Sequence, residues 1–446
     1  MYYIGIDIGT TSICGVRYNS EACNGCSEEN SDEVSLKTIT LPNDSTISGN
    51  NYDERLQDPQ RIYEIVVGIL DNLLQDGKEV KGIGVTGQMH GMLYTDATGN
   101  AVSPLVTWQD GRGNRKINDT ETYAEAMTRI TGYPVATGFG LLTHYYNSLN
   151  NQVPHGASRI STIMDYVVMK LTNGSVPVID SSNAASLGVF DKTELRFDAE
   201  ALGKLNIDTR LLPVVASGKT AVGYYKNIPV FPAIGDNQAA FIGSVADREE
   251  AVHVTVGTSS QISVYSPQYI ELPELDTRPL PGGGYIIVGA ELCGGYSLTL
   301  LKNFFSEVLK HISGDTPTDD EIYACMATMP RGGEAPLTVD TRFDGTRQDP
   351  AKRGGISGIS STNFLPGNLV EGFLCGISIA LYDYYKLLPA SIRENKKMIV
   401  ASGNGLRKNL RLREVFEETF SLPMTLSDCR EEAAYGAARY ASLMES

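Results

Sequence analysis

One pattern occurs twice in this chain, and its recurrence limits the fold to something built from two related halves. Tyr3-Ile-Gly-Ile-Asp7-Ile-Gly9-Thr10-Thr11-Ser12-Ile13 opens the sequence, and Val252-His-Val-Thr255-Val-Gly257-Thr258-Ser259-Ser260-Gln-Ile262 answers it in the second half. Each copy is an apolar strand, a glycine at the bend, a hydroxyl cluster and a second alternating strand, which is the pattern of a hairpin with a bared tip. Such a tip offers backbone N–H groups and hydroxyls to phosphate oxygens. The copies differ where Asp7 becomes Thr255, so only the first can lend a carboxylate to a metal ion. Two such tips point to two similar domains gripping a nucleotide, and so to an ATP-driven machine.

Composition narrows the partners. The 446 residues suffice for two packed domains of roughly 200 to 250 residues each. A net charge of -16 disfavours nucleic acid and anionic membranes over most of the surface, while small anions can still bind locally. No run approaches the ~20 apolar residues of a membrane span, and Met1-Tyr-Tyr-Ile-Gly reads as a strand rather than a signal peptide, so the expected compartment is the cytoplasm. Seven cysteines over this length fit free thiols better than a disulfide framework. Cys23-Asn-Gly-Cys26 has redox or zinc spacing but no second pair, and reads as an inert acidic loop.

Residues 2 to 40 read as three strands. Asp58-Pro59 then starts a helix carrying Ile62, Ile65, Val66, Ile69, Leu70, Leu73 and Leu74, which Gly77 ends. A strand at Lys81–Thr86 and a hairpin around Asp96-Ala-Thr-Gly99 follow. Strands, helix and strand, repeated more weakly after residue 250, give the order of the ribonuclease-H-like core of actin-like ATPases. The expected fold is therefore α/β and actin-like, with two related domains, 1–245 and 246–446, and a catalytic cleft between them. Residues 110 to 230 read as an insertion that builds a substrate pocket on the first domain. Asp428-x-x-Glu431 reads as a capping box before a helix of small residues, Ala433 to Ala438, that can pack closely on a neighbour.

Two familiar signatures fail on context. Gly82-Ile-Gly84-Val-Thr-Gly87 matches a dinucleotide fingerprint, but its glycines lie within the strand and no helix opens after it. Ser217-Gly-Lys-Thr220 ends like a P-loop, yet the motif's first glycine would fall on Pro213.

The candidate chemistry lies elsewhere. Asp7 ends a buried-looking strand, where an unpaired carboxylate costs several kcal/mol and a magnesium ion would relieve that cost. Asp236, in Gly235-Asp-Asn-Gln238, reads both as a helix N-cap and as the general base that deprotonates a hydroxyl for attack on phosphorus. A carboxylate of ordinary basicity suffices for that role. Trp108, the single tryptophan, sits in Thr107-Trp-Gln-Asp110-Gly-Arg112; beside Asp110 and the Gln88-Met89-His90 corner its face suits a polyol, though core packing is the commoner use of the residue.

With these residues on view, the chain resembles the FGGY carbohydrate kinases along essentially its whole length. The matching segments are Gly5-Ile-Asp7-Ile-Gly-Thr-Thr-Ser12, Gly87-Gln-Met-His90-Gly, Trp108-Gln-Asp110, Gly235-Asp236-Asn237, Gly257-Thr258, Gly345-Thr-Arg347-x-x-Pro350 and Ser402-Gly403-Asn404-Gly405. Leu105–Arg112, Val135–Gly140, Asp165–Val168, Asn183–Ser186 and Ser421–Met424 are more similar to the family's sedoheptulokinases than to its xylulokinases. The resemblance implies ATP and Mg²⁺ as cofactors, with Asp7 and Asp236 at the metal and Asp236 as base. It implies Thr10, Thr11, Ser12, Gly257, Thr258 and Ser259 on the phosphates, Gly295, Gly403, Asn404 and Asn409 on adenosine, and Gln88, Met89, His90, Trp108, Asp110 and Asn237 on the ketose. Two positions depart from the family pattern: Thr346 replaces an acidic residue, and Gly405-Leu-Arg-Lys408 displaces a small one.

The implied partners are the sugar and ATP, with neither nucleic acid nor membrane, and a homodimer stays open. The implied reaction is phosphorylation of a ketose's terminal hydroxyl, of sedoheptulose to its 7-phosphate first. Xylulose or another ketose or polyol is the alternative substrate, and an actin-like filament or chaperone-type ATPase the non-enzymatic rival.

Overall fold

A computed structural model describes residues 1–21, 36–332, 337–346, 349 and 351–445. Cys23 and Cys26, and Arg347 and Pro350 of the family segment, lie outside the described residues. Contacts divide the chain into two units: Met1–Ser244 with Arg278–Gly284 and Glu431–Ser446, and Val245–Thr277 with Tyr285–Arg430. The division at 245/246 read from sequence leaves the last helix in the second half, whereas its packing puts it in the first unit.

In the first unit, β1 (Tyr2–Ile8) and β2 (Ser12–Asn19) form the expected hairpin, with Asp7 opposite Cys14, and β3 (Leu36–Pro42) continues the antiparallel ladder. The first helix, α1 (Pro59–Leu74), begins as read: Asp58 accepts from the N–H groups of Gln60 and Arg61, and Pro59 needs no partner at the first helical position. It buries Ile62, Ile65, Val66, Ile69, Leu70 and Leu73 against Ile4, Ile6, Ile8 and Ile13. Next come β4 (Val80–Gly87), parallel to β1, then α2 (Ser181–Leu187), β5 (Ile228–Val230), β6 (Ile234–Gly235) and α3 (Asp236–Ser244). Both β5 and β6 pair parallel with β4. The inserted stretch has its own core around Met127, Leu141, Leu142, Ile160, Leu187 and Phe190.

The second unit repeats the plan. Strands β7 (Ala251–Val256), β8 (Ser260–Ser266) and β9 (Tyr285–Glu291) are an antiparallel ladder; α4 (Gly295–Ser313) and α5 (Pro366–Leu387) follow; and β10 (Met398–Ser402) lies parallel to β7 as β4 does to β1. The strand order β3-β2-β1-β4 thus recurs as β9-β8-β7-β10, so the duplicated hairpin marks a duplicated sheet. Helix α6 (Leu410–Phe420) and β11 (Met424–Leu426) complete this unit.

The terminal helix, α7 (Glu432–Glu445), returns to the first unit and packs on β1, β4 and α3. Glycines make this possible: a Cβ would lie 1.8 Å from Ala434 O at Gly5, 2.0 Å from Ala437 O at Gly84 and 1.8 Å from Ala239 O at Gly436. That is why Gly84 mimics a nucleotide fingerprint without being one. The helix starts at Glu432, so Asp428 does not cap it; Arg407 instead donates to the carbonyls of Ser427 and Cys429 and keeps that stretch out of the helix. Among the described residues no helix is long and apolar enough to cross a membrane.

Candidate active site

Asp7, Gln88 and Asp236 stand at or just past the carboxyl ends of three neighbouring parallel strands, the place where open α/β sheets bind ligands. Ile8 pairs with Gly87, and Gly87 with Gly235, so the three ends lie level. The alignment is pinned. The Gln88 N–H donates to Ile8 O at 2.9 Å, and the Thr86 hydroxyl donates to Ile234 O at 2.8 Å. From α2, Ser182 Oγ accepts from the Gly235 N–H at 3.1 Å, and Asn183 Nδ2 donates to Ala233 O at 2.9 Å. Gly87 has no room for a side chain, since a Cβ would lie 2.5 Å from Ile8 O.

Electrostatically, this corner brings buried carboxyl groups together. Burial, then Asp236, then Glu431 push Asp7 up to about 7 from 3.8. Burial likewise raises Asp236 to about 6, against the opposing pull of the Arg278 guanidinium and a hydrogen bond from the Asn237 backbone. The Asp236 carboxyl is thus more basic than the ordinary carboxylate that would suffice for proton transfer. Among the described residues no group of three or more His, Cys, Asp or Glu is arranged as a metal cage. Two facing carboxylates do fit a cation such as Mg²⁺, which keeps several waters and takes one or two carboxylates beside substrate oxygens.

A polar ring joins this corner to Trp108. The indole Nε1 donates to Thr10 Oγ1 at 3.0 Å, and that hydroxyl donates to Gln88 Oε1 at 3.3 Å. Gln88 Nε2 donates to Gln57 Oε1 at 2.8 Å, and Gln57 Nε2 returns to Thr10 O at 2.9 Å. The Thr10 hydroxyl, expected on phosphate, is therefore engaged with the indole and Gln88, while Thr11 and Ser12 are exposed. Trp108 is 45% exposed, which leaves it available as a wall.

Met89 is buried against Gly235, where a Cβ would meet its Sδ at 2.8 Å. His90 has φ 74, a strained value for a residue with a side chain, held by stacking on Phe139 at 4.6 Å and by its N–H donating to Ser186 Oγ at 3.2 Å. Asn237 follows Asp236 in the first turn of α3.

Asp110, read as part of the ketose pocket, is bonded within the chain. It is wholly buried, and its oxygens accept from Arg55 N, Arg112 N, Arg112 Nε and Arg112 Nη2. A carboxylate with four donors has no lone pair to spare for a sugar, so Asp110 fixes the Trp108 loop.

In the second unit, Gly257, Thr258 and Ser259 meet the start of α4: Gly295 N–H donates to Gly257 O and Tyr296 N–H to Thr258 O. Gly403, at φ 84, packs so closely that a Cβ would lie 2.5 Å from Val256 O. Gly295, Gly403 and Asn404 are thereby brought to the β7–β8 tip. Asn409 caps α6, its Oδ1 accepting from Leu412 N at 2.9 Å. At the position matching Asp7, Thr255 Oγ1 instead lies 2.8 Å from Ser402 Oγ.

Sequence reasoning passed over Gln57, Ser182, Ser186 and Arg278, and read Glu431 only as part of a cap. Each comes to the site from a remote segment; Ser186 falls within the Asn183–Ser186 segment of the family resemblance, but nothing local marked its contact with His90.

A family model described as the FGGY family of carbohydrate kinases, N-terminal domain, matches residues 2–251. Sedoheptulokinase of Mus musculus is 27% identical, with 98% of this chain and 96% of that protein covered. Xylulose kinase of Lactococcus lactis is 25% identical over 91% of this chain and 80% of that protein. Plasmodium falciparum glycerol kinase with ADP is similar in fold, with a TM-score of 0.78 at 20% identity over 99% of this chain and 89% of that one.

Proposed function

Because this chain belongs to the FGGY family of carbohydrate kinases, which are ATP-dependent sugar phosphotransferases, we propose that it phosphorylates the terminal hydroxyl of a ketose, sedoheptulose first, to give sedoheptulose 7-phosphate. The observation that carries the substrate is the end-to-end likeness to the mouse sedoheptulokinase. The xylulose kinase likeness, nearly as strong, makes D-xylulose the second reading.

Asp236 is the base. Raised to about 6, its carboxyl is mostly ionised at neutral pH yet basic enough to take a proton as the hydroxyl oxygen bonds to phosphorus. Trp108, Gln88, Met89 and His90 hold the ketose so that this hydroxyl meets Asp236, and alignment supplies much of the acceleration. Asp7 and Asp236 would hold Mg²⁺, directly or through water; bound there, the ion neutralises charge on the transferring phosphoryl group. Free cysteines such as Cys14, Cys293 and Cys429, all buried, suit the reducing cytoplasm.

A substrate panel tests the reading. We expect kcat/KM for sedoheptulose to exceed that for D-xylulose, D-ribulose, L-ribulose and glycerol by at least about tenfold, because a site built to bond extra hydroxyls leaves its own groups unpaired with shorter analogues. D-Xylulose as the best substrate would reassign the sugar. Absence of sugar-dependent ADP release across the panel would favour the filament or chaperone class.

A further inference from the structure

We infer that the cavity beside Trp108 is the subsite for the end of the ketose remote from the phosphorylated hydroxyl; this rests on the ketose-kinase reading above and adds which residues measure the sugar's length. The cavity has a volume of about 380 Å³, within the range of small-molecule sites, and Thr10, Ser48, Asn51, Arg55, Gln57 and Gln109 are among its walls.

Its position follows from hydrogen bonds already described. Gln57 lines the cavity and bonds Gln88, and Thr10 lines it and bonds the Trp108 indole. Thr107 and Gln109, on either side of Trp108, line it as well. Gly235 pairs with Gly87, so Asp236 and Gln88 stand about one strand spacing apart, ~5 Å. Gln57, which accepts from Gln88 Nε2, is itself part of the cavity wall, so the wall begins one hydrogen-bonded side chain beyond Gln88. A long ketose bound at Asp236 extends toward it, and a short one stops before it.

The lining chooses a neutral polyol over an anion. Arg55 Nη1 is spent on the carbonyls of Tyr52 and Glu54, at 2.7 and 2.8 Å. The Glu54 carboxylate accepts from Asn50 N at 2.8 Å and Asn51 Nδ2 at 2.6 Å, and pairs with Arg115 at 3.4 Å. The Glu54 carboxylate is thus committed within the wall and opposes an anion there, while Arg55 keeps the N–H groups of its Nε and Nη2 as donors for sugar hydroxyls. What remains is amide and hydroxyl groups for directional bonds, with Ile47 and Leu56 to meet C–H surface.

Two variants of the full chain test the assignment. Ser48 is exposed, so Ser48→Phe narrows the cavity without entering the core; Gln109→Ala removes one wall amide. Each is assayed on ketoses of four to seven carbons, with thermal unfolding as the check on folding. Ser48→Phe is expected to lower kcat/KM for sedoheptulose by at least about tenfold more than for D-xylulose, and Gln109→Ala by roughly three- to tenfold more. Equal losses at every chain length, with sedoheptulose still preferred by the unaltered protein, overturn the subsite and leave the ketose-kinase reading standing. If the unaltered protein turns over five-carbon but no seven-carbon ketose, the sedoheptulose reading falls and the subsite falls with it.

Discussion

The indole N–H of Trp108 donates to the Thr10 hydroxyl at 3.0 Å, which ties the proposed sugar wall to the tip of the first hairpin. Because the ring is half exposed and is the sole indole in the chain, its emission should change when a ketose is added without ATP. Trp108→Phe keeps the ring face and loses the donor, so KM for the ketose should rise several-fold with kcat little altered. A flat emission titration, with binding established by calorimetry, would remove Trp108 from the site.

Asp236→Asn preserves shape and removes basicity. The variant should unfold at a similar temperature and bind ketose, while kcat drops by roughly 10²-fold or more. A kcat close to that of the unaltered protein would exclude Asp236 as the base.

Asp7 links function to stability with opposite signs. Its carboxyl titrates near 7 in the folded protein and near 3.8 when unfolded, so between those values the native state keeps a proton that the unfolded chain has lost. Stability therefore declines as pH rises through this window, and above 7 the full penalty stands. Asp7→Asn removes it. In metal-free protein the unfolding midpoint at pH 8 should rise, with the gain shrinking below pH 7 and gone near pH 4. Added Mg²⁺ should stabilise the unaltered protein and not the variant. A variant less stable at pH 8, or one equally stabilised by Mg²⁺, would contradict this account.

What the sequence could announce here, it announced through local punctuation. Glycine and hydroxyls at Gly9–Ser12 and Gly257–Ser260 gave the duplicated sheet, and Asp58-Pro59 with Gly77 framed α1. The bond from Arg112 to Asp110, two residues away, was not legible, because the neighbours of Asp110 make its carboxylate look sugar-facing. Ser182 and Arg278 were invisible because their roles arise only when distant strands and loops converge on Asp236.

The same limit explains the glycines. Nothing in the residues around Gly436 says which backbone it will face, although the run of small residues says that something will come close. In the structure α7 lies so near α3 that a Cβ at Gly436 would meet Ala239 O at 1.8 Å, while at Gly68, exposed in the middle of α1, a Cβ would meet nothing within 4 Å. Gly436→Ala must push two backbones apart, an overpacking cost of about 1–3 kcal/mol or more. Gly68→Ala removes only the entropy that a helical glycine forfeits, a gain of roughly 0.5–1 kcal/mol. Denaturant midpoints should therefore run in the order Gly68→Ala, unaltered protein, Gly436→Ala, at constant slope. A Gly436→Ala protein as stable as the unaltered one would mean that α7 does not seat on α3 in this way, and the placement of Glu431 beside Asp7 would lose its support.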